Sequence, residues 1–165
     1  MNEISQIDIN ILLRILLVMV LAGALGWERE SAGKAAGIRT HVLVGIAVVL
    51  FLSIGDLLIA RFSSYGELIR FDPSNLIVAT VMGISFLGAG MIFFQGKDKR
   101  VRGLTTAAGV LTTAAIAMLV GLEKYFLAIG STAIVFVVLH FLNLLEERYF
   151  KKRGNEAERD DLTEL

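Results

Sequence analysis

Two charged residues stand inside otherwise apolar stretches of this 165-residue chain. Arg14 lies 13 residues before Trp27, and Asp56 lies 15 residues after His41. At the rise of an α-helix, both charges then lie on the order of 20 Å from the boundary that Trp27 and His41 mark. Equal depth predicts an Arg14–Asp56 ion pair, or side chains that reach the nearer surface. The alternative is a role in an ion pathway, because a bare charge in a membrane is costly.

A second group of residues combines arginines with the starts of apolar runs. Arg39 and Arg102 each precede such a run, and Glu28-Arg29 closes another. Free N–H groups at a helix start, beside guanidiniums, favour a lipid phosphate, a nucleotide phosphate or a partner's carboxylate. The predicted anion site comprises Glu28, Arg29, Arg39, Thr40, Arg102, Gly103, Thr105 and Thr106. The alternative is that these charges only set membrane topology and bind headgroups.

Oxygen-bearing side chains give only a weak metal prediction. The candidates are Asp56, Asp72 and Asn75, yet magnesium needs several oxygen ligands that would have to converge. Asp72 is better explained as the N-cap of a helix that begins at the only proline, Pro73. The two histidines, His41 and His140, are expected as interfacial or core residues.

Catalytic signatures are missing from the sequence. It has no cysteine, no nucleophile–base arrangement, no phosphate loop and no nucleic-acid signature. We therefore expect no enzymatic activity, no cofactor and no nucleic-acid partner.

Five apolar runs must position these side chains. Each run holds 17 to 21 residues, which as a helix is long enough to cross a hydrocarbon core of ~30 Å. The predicted spans cover about residues 9–26, 42–60, 76–94, 104–120 and 125–145. The predicted fold class is an all-α membrane protein, with a five-helix transmembrane domain at 1–145 and a charged cytoplasmic tail at 146–165.

Lysine and arginine are divided unequally between the gaps that separate these runs. If all five runs span, twelve of the 16 basic residues lie on one side and four on the other. Because basic loops stay in the cytoplasm, this bias predicts an N-terminus outside and a C-terminus in the cytoplasm.

Small residues recur at helical spacing in the third and fourth runs. They are Gly83, Gly88, Gly90, Gly109, Thr113 and Ala117. Such residues let helix backbones approach closely in lipid. We expect them to pack the bundle internally, and the alternative is a face that joins two copies. We also expect the protein to form a homo-oligomer.

Three segments carry a family resemblance when they are read together. They are GWERESAGKAAGIRTHVLVG (26–45), DPSNLIVATVMGISFLGAGMIF (72–93) and VRGLTTAAGVLTTAAIAM (101–118). In this order and spacing they resemble the MgtC/SapB family of bacterial inner-membrane proteins, over about residues 11–142. Arg14 also stands where the family carries an arginine.

The resemblance implies a multi-pass inner-membrane protein tied to magnesium homeostasis, growth at low magnesium and survival inside host cells. It also implies contacts with membrane lipids and with other inner-membrane proteins, such as an ion transporter or the ATP synthase. Many members carry a further soluble C-terminal domain, and roles that need it are not expected here. The leading function is thus a non-enzymatic accessory or regulatory protein. The alternative is a small cation transporter or channel that uses Arg14 and Asp56.

Overall fold

A computed structural model gives the architecture of residues 3–62, 72–95 and 100–141. Within these ranges the chain forms five helices, namely α1 (Glu3–Ser31), α2 (Ile38–Phe62), α3 (Pro73–Gly90), α4 (Leu104–Gly121) and α5 (Tyr125–Phe141). Between α3 and α4, strands β1 (Phe93–Gln95) and β2 (Arg100–Arg102) pair antiparallel, with Phe94 opposite Val101.

Three of the helices are long and apolar enough to cross a membrane. They are the segments Gln6–Ser31, Ile38–Phe62 and Leu104–Gly121. The apolar parts of the other two, Ser74–Gly90 and Tyr125–Phe141, are shorter. The predicted all-α membrane fold with five helices is thereby confirmed, whereas the sides that its two ends face stay a prediction.

Helix boundaries differ from the apolar runs because polar contacts and glycines set them. The backbone N–H of Ile38 donates to Glu30 Oε2 at 2.9 Å, so the Glu30 side chain satisfies a free N–H at the start of α2. The helix α3 ends at Gly90 rather than at residue 94, since glycine is a weak helix former and the pairing of β1 with β2 replaces the helical hydrogen bonds. The predicted tail and the end of the fifth predicted span lie outside the described residues.

The start of α3 follows the sequence prediction. Asp72 is the N-cap, and its Oδ1 accepts a hydrogen bond of 2.9 Å from the backbone N–H of Ser74. Pro73 occupies the first helical position, where its missing N–H leaves no hydrogen bond unmade.

The apolar core lies where α1, α2 and α4 meet. Val18, Val48, Val49, Ala117 and Val120 are fully buried there. A Cβ added at Gly26 would lie 2.6 Å from the Cα of Ile38, and one at Gly45 would lie 3.0 Å from the Val18 side chain. Small residues thus let α1 and α2 approach closely.

The predicted packing residues divide into two groups. Gly88, Gly109, Thr113 and Ala117 are buried in the bundle, as internal packing requires. Gly83 and Gly90 are exposed, and a Cβ at either position would meet nothing within 4 Å. These two glycines therefore do not serve close packing within the described residues.

Candidate functional site

The guanidinium of Arg14 ties α1 to the turn that follows α4. Its Nη1 donates a hydrogen bond of 3.0 Å to the carbonyl oxygen of Gly121, and its Nη2 pairs with the carboxylate of Glu123. Asp56 Oδ2 lies 3.8 Å from Nη1. The structure therefore brings Arg14 and Asp56 within ion-pair distance, but Glu123 is the closer acid. We call Arg14, Asp56 and Glu123 the Arg14 cluster.

Glu123 was missed by sequence reasoning because it lies outside the apolar runs. It stands in the short turn between α4 and α5, with a backbone φ of 60°. The sequence signal for Glu123 was its depth, since the end of α4 lies level with Arg14 in the middle of α1.

A cleft of about 330 Å³ opens beside the Arg14 cluster. Its polar lining comes from Asn10, Arg14, Ser53, Asp56 and Glu123. The Arg14 side chain is 12% exposed, whereas those of Asp56 and Glu123 are 68% and 59% exposed. One arginine and two carboxylates give the cleft a net negative charge, which favours a cation over an anion.

Glu28 and Arg29 form a buried ion pair near the opposite end of α1. Arg29 Nε donates to Glu28 Oε2 at 2.5 Å, and Nη2 donates to the carbonyl oxygen of Leu139 in α5 at 3.4 Å. Their side chains are only 4% and 2% exposed. A guanidinium that is sealed and paired in this way does not offer its donors to an external anion. Glu28 and Arg29 are therefore removed from the predicted anion site.

The imidazole of His41 is fully buried beside α4. Its Nδ1 lies 2.7 Å from Thr113 Oγ1, and that hydroxyl donates to the carbonyl oxygen of Gly109 at 3.0 Å. The Thr113 hydroxyl therefore contacts both the His41 ring and the backbone of α4. Nε2 has no hydrogen-bond partner among the described residues. Sequence reasoning placed His41 only as an interfacial or core residue.

The remaining members of the predicted anion site lie at the starts of α2 and α4. Arg39, Arg102 and Thr105 are exposed, while Thr40 is half-buried and Thr106 is buried. Within the residues that the structure covers, no hydrogen bond or ion pair occupies the guanidinium of Arg39 or Arg102.

Gly103 is required where β2 meets α4. It is the N-cap of α4 with φ at 91°, and no side chain caps this helix start. A Cβ at this position would lie 2.0 Å from the carbonyl oxygen of Met91. Both the left-handed backbone and this close approach demand glycine.

The three weak metal candidates do not converge on one site. The Ser74 hydroxyl and the Ser74 backbone N–H both donate to the Asp72 carboxylate. These bonds, the hydroxyl's first, lower the pKa of Asp72. Asp56 faces Arg14, and Asn75 is an exposed residue in the first turn of α3. Among the described residues, no group of three or more His, Cys, Asp or Glu side chains is placed to hold a metal ion.

An apolar layer separates the Arg14 cluster from the buried pair and His41. Along α1, the buried residues between Arg14 and Glu28 include Val18, Leu21, Ala22 and Leu25. Along α4, Ala114, Ile116, Ala117 and Val120 are buried between Thr113 and Gly121. Along α1 and α4, polar groups thus occupy two levels with packed hydrocarbon between them.

Sequence comparison identifies the family of the chain. The sequence model of the MgtC family matches residues 15–148. This chain belongs to the MgtC family. The resemblance drawn from the three sequence segments is thereby confirmed, and the match includes Glu28, Arg29, His41 and Thr113.

Individual members of the family are similar to this chain over most of its length. The Escherichia coli K12 protein named "Putative magnesium transporter YhiD" is 36% identical over 141 residues, which are 86% of this chain and 64% of that protein. SapB of Bacillus subtilis is 26% identical over 168 residues, or 96% of this chain and 72% of SapB. MgtC of Salmonella typhimurium LT2 is 33% identical over 124 residues, or 75% of this chain and 48% of MgtC.

The chain of this MgtC-family protein is shorter than several of its relatives. It covers less than two thirds of the K12 relative and about half of the LT2 relative. No solved structure matches the chain.

Proposed function

We propose that this MgtC-family protein is a non-enzymatic accessory or regulatory protein of the bacterial inner membrane. In this proposal it serves magnesium homeostasis through contacts with lipids and with other membrane proteins, such as an ion transporter or the ATP synthase. All five helices span the membrane, with the N-terminus outside. The name of the Escherichia coli K12 relative, which describes it as a magnesium transporter, supports the link to magnesium.

The apolar layer is the observation that carries the regulatory role. Transporters bind their cargo near the membrane midplane, in polar sites between broken helices. Here α1, α2 and α4 are continuous helices, and buried Val, Leu and Ala residues fill the level between the Arg14 cluster and Thr113. This packing supports a protein that acts by contact rather than by conducting ions.

The surface for such contacts is proposed at the starts of α2 and α4. Arg39, Arg102 and Thr105 are exposed there, and neither guanidinium has a partner among the described residues. A planar guanidinium binds a carboxylate or phosphate through two parallel hydrogen bonds, which lysine cannot reproduce. The proposal therefore assigns these arginines to recognition of a partner's carboxylate or a lipid phosphate.

Ion flux in liposomes tests the proposal most directly. Liposomes that contain only this protein, with a Mg²⁺ gradient and dyes for Mg²⁺ and protons, are expected to show no more flux than empty liposomes. Magnesium-limited growth of cells should nevertheless depend on the protein. Protein-dependent flux in the liposomes would overturn the accessory role.

Lysine substitutions test the contact surface. Arg39→Lys and Arg102→Lys keep the positive charge, so insertion and topology should survive. Each variant should nonetheless reduce magnesium-limited growth, since two-pronged recognition is lost. Full growth with both variants would show that Arg39 and Arg102 only set the membrane topology.

A small cation transporter is the second candidate, and the negatively charged cleft beside Arg14 favours it. Under this alternative, Asp56 draws a cation into the cleft and flux in liposomes is lost in Asp56→Asn. Asp8→Asn is the matched control, because Asp8 is an exposed carboxylate of the same end that does not line the cleft.

We also propose that the protein forms a homo-oligomer. Gly83 and Gly90 lie open on α3, where a second helix would approach closely.

A further inference from the structure

The cleft beside the Arg14 cluster lies at the membrane boundary opposite to Trp27. Ile7, the first residue of α1 in its lining, stands 20 residues before Trp27, which is about 30 Å along a helix. That length matches the thickness of a hydrocarbon core, ~30 Å. Arg14 stands seven residues further along α1, about 10 Å inside the boundary. The cleft therefore occupies the depth at which the headgroups of one leaflet meet the hydrocarbon.

The lining of the cleft combines hydrocarbon with charge. Its apolar part comes from Ile7, Ile11, Leu57 and Ala60, and its polar part is the Arg14 cluster with Asn10 and Ser53. The volume of about 330 Å³ lies in the range of small-molecule sites. Such a lining suits a ligand that has a charged end and a short hydrocarbon part.

The charges of the cleft select a cation. Arg14 neutralises one of the two carboxylates, and Glu123 is the closer of them. The distance of 3.8 Å between Asp56 Oδ2 and Arg14 Nη1 is too long for a hydrogen bond. A carboxylate has about four acceptor sites, and the Asp56 side chain is 68% exposed. Asp56 therefore keeps acceptor capacity for a donor that enters the cleft.

The same lining favours an ammonium group over a metal ion. Magnesium requires several oxygen ligands in a nearly ideal octahedron, and no group of three acidic or histidine side chains among the described residues is placed to provide it. A primary ammonium carries one charge, which equals the net charge of the Arg14 cluster in magnitude, and it donates three hydrogen bonds. A quaternary ammonium is held best by aromatic rings, and the described residues that line the cleft include none.

We propose that this cleft binds a primary ammonium group, carried by an aminophospholipid of the adjoining leaflet or by a small dissolved amine. The ammonium donates to the carboxylates of Asp56 and Glu123, and its carbon atoms lie against the apolar lining. The inference does not rest on the proposed function, because a group that binds at one depth needs no pathway across the apolar layer.

Native mass spectrometry of the purified full chain in detergent tests the lipid source. Phosphatidylethanolamine, phosphatidylcholine and phosphatidylglycerol with identical acyl chains are added at equal concentrations. Phosphatidylethanolamine should be retained several-fold more than the other two, since it alone carries a primary ammonium. In a second arm, ethylamine should raise the unfolding temperature more than tetramethylammonium at equal ionic strength if the source is a dissolved amine. Absence of selectivity in both arms overturns the proposal.

Two variants assign the selectivity to the cleft. Asp56→Asn removes the under-used carboxylate and should lower the selective binding several-fold. Asp8→Asn is the matched control, because Asp8 is exposed near the same end of α1 and does not line the cleft. Ala60→Phe fills the cleft from its apolar lining while both carboxylates remain, so it should also lower binding and serves if Asp56→Asn does not fold. Binding by either cleft variant equal to that of Asp8→Asn contradicts the proposal.

Discussion

Arg14 Nη1 donates a hydrogen bond of 3.0 Å to the carbonyl oxygen of Gly121, a residue 107 positions further along the chain. The bond fastens the middle of α1 to the last residue of α4. It also satisfies a carbonyl at a helix end, where no intrahelical partner exists. Removal of this arginine therefore affects the backbone of α4 as well as the charges of Asp56 and Glu123.

A double-mutant cycle should rank the two acids that face Arg14. The coupling between Arg14→Ala and Glu123→Ala should exceed that between Arg14→Ala and Asp56→Ala, because Glu123 is the closer partner. Both couplings should lie at about 0.2–1 kcal/mol, since the two carboxylates are largely exposed. Reversible unfolding in detergent measures them. Additive effects for Arg14 and Asp56 would show that their 3.8 Å approach contributes no stability.

Separation of the buried pair should be among the most damaging changes in α1. Arg29→Met leaves the Glu28 carboxylate buried without its cation, with an expected loss of about 3–5 kcal/mol in the free energy of unfolding. Glu28→Gln combined with Arg29→Met should lose less than Arg29→Met alone, because no bare charge remains. Arg39→Met, at an exposed arginine of α2, is the control and should change stability little. An equal loss in Arg29→Met and Arg39→Met would contradict the burial of the pair.

Alanine at Gly103 should disrupt the junction between β2 and α4. A methyl group there would lie 2.0 Å from the Met91 carbonyl oxygen, at a backbone φ of 91°. Gly130→Ala in α5 is the matched control, because a Cβ at Gly130 meets nothing within 4 Å, and replacement of a helical glycine should stabilise the helix. Folded yield and unfolding temperature distinguish the two. Similar behaviour of both variants would show that the chain does not need the left-handed turn.

Single cysteines should reveal the sides of the membrane, since the chain has none of its own. Ser31→Cys lies at the end of α1 and Lys124→Cys lies between α4 and α5, and both positions are exposed. From the positive-inside bias, an impermeant thiol reagent added outside intact cells should label position 124 and spare position 31. The reverse labelling would invert the predicted orientation.

The helices and the family follow from local sequence. Runs of 17 to 21 apolar residues can satisfy their backbone groups in lipid only as helices, so the all-α membrane class needs no knowledge of the tertiary structure. The cap of α3 is equally local, because Asp72 and Ser74 are two positions apart. Two boundaries were harder to predict. The start of α2 depends on Glu30, eight positions from Ile38, and the end of α3 depends on the pairing of β1 with β2.

The roles of the polar residues were decided by the tertiary structure. Thr113 lies 72 positions from His41, Glu123 lies 109 positions from Arg14, and Leu139 lies 110 positions from Arg29. The sequence did predict that Asp56 lies near Arg14, because the depth of a residue in a membrane-spanning helix depends only on the rise per residue. Which face of each helix turns inward depends on how α1, α2 and α4 pack. For that reason Arg29 is buried in an ion pair with Glu28, Arg39 is exposed, and the imidazole of His41 is buried.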